Sequence, residues 1–151
     1  MITSTTETAF RILLDLGTQD PEHVVPLSEL HSRIGGSSSY LAKVTASLAR
    51  VGIVVSYRGA QGGLLLAKAP KEIPLVDVVS AIQGRITSAA CLTTETAKVQ
   101  VCTFHRAMDD LNKSIISSLG KYTLADLLEK PCCHTSSGKV CPDCKMRPKL
   151  D

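Results

Sequence analysis

The chain has 151 residues, 44% hydrophobic and 21% charged, with a formal net charge of +3. That length is one domain with at most an appendage, and it is long enough to bury a core. Aromatics make up 3% with no tryptophan, which argues against a stacking platform for single strands, while the mild positive charge neither demands nor excludes duplex DNA.

The opening "MITSTTETAFRILLDLGTQD" lacks the basic start and small-residue cleavage site of a signal peptide, and no apolar run reaches transmembrane length. The expectation is a cytoplasmic protein with no membrane partner. Thiols stay reduced there, so six cysteines point to metal or redox chemistry more than to structural disulfides.

Ser4-Thr5-Thr6-Glu7 has capping-box spacing, and "ETAFRILLDL" continues as a mostly apolar first helix. "DPEHVVP" reads as a loop, and "LSELHSRI" (27–34) as a short second helix with Leu27, Leu30 and Ile34 on one side. "GGSSS" turns the chain into a third helix from Ser38 to about Val51, with Leu41, Val44, Leu48 and Val51 at helical spacing and Gly52 ending it. "IVVSYRGAQGGLLLA" then reads as a β-hairpin around a glycine turn.

Helix, short helix, glycine turn, helix and hairpin is the order of a winged helix-turn-helix. The fold class is therefore mainly α with a small β-hairpin wing and a long dimerisation helix. The third helix should turn Ser38, Ser39, Tyr40, Lys43, Ser47 and Arg50 toward phosphates and base edges of a double-stranded DNA operator. Arg58, at the hairpin tip, should reach a minor groove. A solvated helix face and an exposed hairpin would carry the same residues.

"PKEIPLVDVVSAIQG" (70–84) holds a fourth helix from near Pro74, with Leu75, Val78, Val79 and Ile82 on its apolar side. A long amphipathic helix should run from about Thr103 to Leu119, with Phe104, Ala107, Met108, Leu111, Ile115 and Leu119 in register. Such a helix after a DNA-binding unit suits a homodimer seam, because operators are read by two-fold dimers; intrachain packing is the alternative. "YTLADLLEK" closes as a short terminal helix. Three segments follow: a DNA-binding unit over 1–68, a cysteine loop and dimerisation helix over 69–129, and a cysteine-rich tail over 130–151.

The run from "TETAFRILLDL" through "SSYLAKVTASLARVGIVVSYRGAQGGLLLA" and "IPLVDVVSAIQG" to "YTLADLL" resembles the Rrf2 family of bacterial transcription regulators, over roughly residues 1–129. The family includes the iron–sulfur sensors IscR, NsrR and RsrR. The resemblance implies a homodimeric winged-helix protein with its cluster loop between the DNA-binding unit and the dimerisation helix. Members with the commonest cluster motif carry three loop cysteines. Here "CLTTETAKVQVCTFH" supplies only the outer pair, Cys91 and Cys102, so a three-thiolate site is not available.

The RsrR-like branch implies a different ligand set. Its [2Fe-2S] cluster is held by two cysteines of one subunit and by a glutamate and a histidine of the other. The matching positions are Cys91 and Cys102, Glu7 in "TETAF" and His31 in "SELHSRI", with His105 as the reserve nitrogen donor. Two thiolates, an imidazole and a carboxylate provide two donors for each iron. Each also has a plain structural use: Glu7 as the acid of the capping box, His31 as a boundary histidine, and the cysteines as small buried side chains.

The tail "CCHTSSGKVCPDCKMRPKLD" lies outside that resemblance. Cys132, Cys133, His134, Cys141 and Cys144 are enough donors for a separate tetrahedral zinc site. The leading expectation is a DNA-binding regulator sensing redox state, nitric oxide or iron–sulfur status. A cluster-free regulator governed by a partner protein or thiol oxidation, and a metal or sulfur carrier using the tail, are the alternatives. With no nucleophile–base pair, phosphate loop or acid–base constellation, an enzyme is not expected.

Overall fold

The computed structural model describes residues 3–59, 62–84 and 103–129. The elements in order are α1 (Ser4–Gly17), α2 (Leu27–Ile34), α3 (Ser38–Arg50), β1 (Val54–Tyr57), β2 (Gly63–Leu66), a 3-10 turn (Pro70–Glu72), α4 (Leu75–Gln83), α5 (Thr103–Leu119) and α6 (Leu124–Glu129).

Helix α1 is the hub. Ala9, Phe10, Ile12, Leu13, Leu14 and Leu16 are all buried, so it is apolar around most of its circumference, as a helix surrounded by others must be. Helices α2, α3, α4 and α6 all pack on it. Fully burying a large aliphatic side chain stabilises by about 1.5–3 kcal/mol, so this cluster supplies much of what holds the helices together.

The start of α1 differs from the capping-box expectation. Its N-cap is Thr3, not Ser4: the Thr3 hydroxyl accepts from the Thr6 N–H at 3.3 Å and lies 3.1 Å from the Thr6 hydroxyl. The third helical position is then Thr6, which is buried, and Glu7 falls one residue beyond the reach of a capping box.

In α3, Leu41, Val44, Thr45 and Leu48 are buried at helical spacing, and Ser37 caps the start by accepting from the Tyr40 N–H at 3.2 Å. Val51 departs from the expected apolar stripe. It is the C-cap and exposed, because Gly52, at φ +70°, turns the chain off the helix axis there.

The wing is antiparallel, pairing Val54 with Leu66 and Tyr57 with Gly63. Leu64 and Val25 exchange both backbone hydrogen bonds, at 2.8 and 2.9 Å, which fastens the wing to the loop before α2. Gly63 is required by that junction, because a Cβ there would collide with the Val25 carbonyl. At the other end, Leu75 donates to Tyr122 and Leu124 to Ile73, bringing α6 back onto the body. Ile73, Leu75, Val78, Val79 and Leu124 join the same core as α1 and α3, so the described residues just before α4, α4 itself and α6 share one core with the winged helix.

Helix α5 packs along α4, yet Phe104 is 60%, Leu111 50% and Ile116 50% exposed in the single chain. Among the described residues, packing therefore covers only part of its apolar side. Among the described residues no helix is long and apolar enough to cross a membrane.

Candidate functional site

The outward side of α3 is opposite Leu41, Val44 and Leu48. Ser38, Ser39, Lys43 and Arg50 are exposed there, and Ser47 is half-buried with its hydroxyl donating to the Lys43 carbonyl at 3.3 Å. Lys43 and Arg50 are two helical turns apart and share one face. Arg58, exposed after β1, lines an open groove between α3 and the wing together with Ala42, Ala46, Ala49 and Ser56. None of these three cations makes an ion pair among the described residues, so their charges remain available to phosphates.

Tyr40 is placed differently from the rest of that set. Its side chain is half-buried against the core beside Gly36, and its hydroxyl donates to the Thr8 hydroxyl on α1 at 3.4 Å. A tyrosine in the first turn of a helix, at the margin of the buried stripe, can fold its ring inward while its polar tip finds a partner. Ala42 and Ala46, both exposed on the outward side, are surface positions that a search for polar contacts passes over.

The expected metal donors fall in two groups. Glu7 is exposed in the first turn of α1, and His31 is half-buried in the last turn of α2. Neither side chain makes a hydrogen bond or ion pair among the described residues, so both remain free to bind a ligand. Among the described residues no three His, Cys, Asp or Glu side chains gather as a metal site. Cys91, Cys102, Cys132, Cys133, His134, Cys141 and Cys144 lie outside the described residues; His105 falls in the first turn of α5, but its side chain is outside them. Carboxylate and imidazole are both donors that iron accepts, and the side chains of Glu7 and His31 have no partner among the described residues.

A buried ion pair between α1 and α2 was not anticipated. Asp15, only 2% exposed, accepts from Arg33 at 2.8 Å, and Arg33 also reaches Glu29 at 2.7 Å. Burial pushes the Asp15 carboxyl above its ordinary 3.8, against the opposing pull of the Arg33 guanidinium. A lone acid inside "RILLDLG" was the available signal, since such a residue on a core helix needs a cation.

A third helix whose outward cations have no ion pair among the described residues, a wing fastened to the loop before α2, and a long helix with exposed apolar residues define a winged-helix protein. The chain belongs to the Rrf2 family, described as iron-dependent transcriptional regulators, whose pattern matches residues 2–130. It is 32% identical over 131 residues to the HTH-type transcriptional regulator NsrR of Geobacillus kaustophilus, covering 85% of this chain and 89% of that protein. It is 33% identical over 128 residues to the HTH-type transcriptional regulator IscR of Serratia proteamaculans, covering 84% and 78%. The solved structure of T. potens IscR superposes with a TM-score of 0.67 at 27% identity, covering 87% of this chain and 88% of that one. These relatives are transcription regulators, not enzymes.

The α3 surface makes a measurable prediction. Lys43→Ala and Arg50→Ala should each weaken operator binding, and loss of a phosphate contact should flatten the slope of log affinity against log salt by about one unit. Arg58→Ala should matter most where the minor groove is narrow and A·T-rich. Unchanged affinity in all three folded variants would remove this surface from DNA recognition.

Proposed function

We propose that this chain is a homodimeric regulator that binds a double-stranded DNA operator through α3 and the wing. In this reading it senses redox state, nitric oxide or iron–sulfur status through a [2Fe-2S] cluster shared across the dimer. Glu7 and His31 of one subunit and Cys91 and Cys102 of the other are the ligands. The observation that carries the reading is the release of Glu7: the cap at Thr3 removes its plain structural use and leaves its carboxylate without a partner among the described residues. The exposed apolar residues of α5 support the homodimer, because a second copy would bury Leu111 and Ile116.

A bound cluster would supply reversible electron transfer or ligand exchange. The chain's own part is to hold a carboxylate on the hub helix and an imidazole on the helix preceding α3. The cysteine tail is proposed as a separate zinc site.

Anaerobic purification tests this reading. The expected result is a coloured protein with iron and acid-labile sulfide each near two per chain, the count for one two-iron cluster per subunit. A colourless protein that still binds its operator would point to the cluster-free regulator, and zinc without DNA binding to the carrier.

A further inference from the structure

We infer that Tyr40 and Gln83 are positioning residues that tie the turn bearing Glu7 to the recognition helix and to the end of α4. The inference rests on the reading of Glu7 as a ligand and assigns the route by which occupancy of that site reaches DNA.

Thr6 and Thr8 flank Glu7, and each hydroxyl has a partner in a different element. The Thr6 side chain is fully buried; its hydroxyl accepts from Gln83 Nε2 at 2.8 Å, from the last residue of α4. The Thr8 hydroxyl donates to the Ser4 carbonyl at 3.0 Å and accepts from the Tyr40 hydroxyl at 3.4 Å, a long bond. Tyr40 is in the first turn of α3, the end that also carries Ser38, Ser39 and Lys43. The Gln83 bond joins residues 77 apart in sequence and the Tyr40 bond residues 32 apart, so neither is a by-product of local helix geometry.

The Gln83 bond is short and ends on a fully buried hydroxyl, so the first turn of α1 is held to the end of α4. The Tyr40 bond is longer, at 3.4 Å, which makes it the more easily altered of the two ties. A shift of that turn when Glu7 is engaged changes whether Thr8 can accept from Tyr40, and with it the setting of the start of α3. Helix displacements of about 1–2 Å are the usual scale of such switches.

The test compares operator affinity in iron-loaded and metal-free protein, using a duplex selected from random sequence. Wild type should show a difference within the range of about 5–150-fold common for coupled sites. Tyr40→Phe keeps the ring and removes only the hydroxyl; it should retain iron and bring the ratio of the two affinities close to one. Thr8→Val, which removes the same bond from the other side, should do likewise and substitutes for Tyr40→Phe if that variant does not fold. Gln83→Met should also reduce the ratio. A wild-type ratio retained in both Tyr40→Phe and Thr8→Val overturns this inference and leaves the proposed function standing. Equal weakening of both forms by Tyr40→Phe makes Tyr40 a DNA contact and also overturns it. A wild type with no difference between the two forms removes the proposed sensing itself, and this inference with it.

Discussion

Arg33→Ala is expected to lower the unfolding free energy by about 3–5 kcal/mol, the range for breaking a buried pair by removing one partner. Asp15 would be left 2% exposed on the hub helix with no cation, since Arg33 is its only ion-pair partner among the described residues. The pair is itself imperfectly compensated: the Arg33 Nε is buried without a hydrogen-bond partner among the described residues. Arg33→Lys should rescue little, because one ammonium cannot span both Asp15 and Glu29 as the guanidinium fork does.

The pH dependence follows from the raised carboxyl. In the window above 3.8 the folded chain binds more proton at Asp15 than the unfolded chain, so this group's contribution to stability falls as pH rises through it. Acidification from neutral pH should therefore shrink the Arg33→Ala penalty, as Asp15 takes up a proton and no longer needs the cation. Urea unfolding at neutral and at acidic pH checks both statements. A penalty below about 1 kcal/mol at neutral pH, or one that grows on acidification, would mean that Asp15 is not held as described.

The order of elements was legible because periodicity carries it. Leu41, Val44 and Leu48 mark α3, and Phe104, Met108, Leu111 and Ile115 mark α5, each at helical spacing, while Gly52 marks a turn at positive φ. Where two residues offered the same local chemistry, the choice was not legible. Thr3 and Ser4 can both cap a helix, and the burial of Thr6 against Gln83 and Thr3 decides between them. The inward turn of Tyr40 and the Asp15–Arg33 pair depend on partners 32 and 18 residues away, which propensity does not register. Glu7 and His31 were found through family resemblance, not spacing. That neither has a partner among the described residues is what the structure adds.

Cys91→Ala and Cys102→Ala should each abolish the visible absorption of the anaerobically purified protein, because loss of one thiolate leaves an iron with an incomplete ligand set. Cys132→Ala and Cys141→Ala should leave the absorption intact, since the tail cysteines are assigned to a separate site. Bleaching by the tail variants and not by the loop variants would place the metal at the other end of the chain. DNA binding by the loop variants should become indifferent to iron, while their fold, which rests on the α1 core, is retained.

The assignment of the ligands to two subunits is tested most directly by a mixed dimer. One chain carries Glu7→Ala with His31→Ala, the other Cys91→Ala with Cys102→Ala. Each homodimer should be colourless. The mixed dimer should hold half the wild-type iron and sulfide, because the intact thiolates of one chain face the intact Glu7 and His31 of the other at one of two sites. A mixed dimer as colourless as its parents, with dimerisation confirmed, would contradict a site shared between subunits.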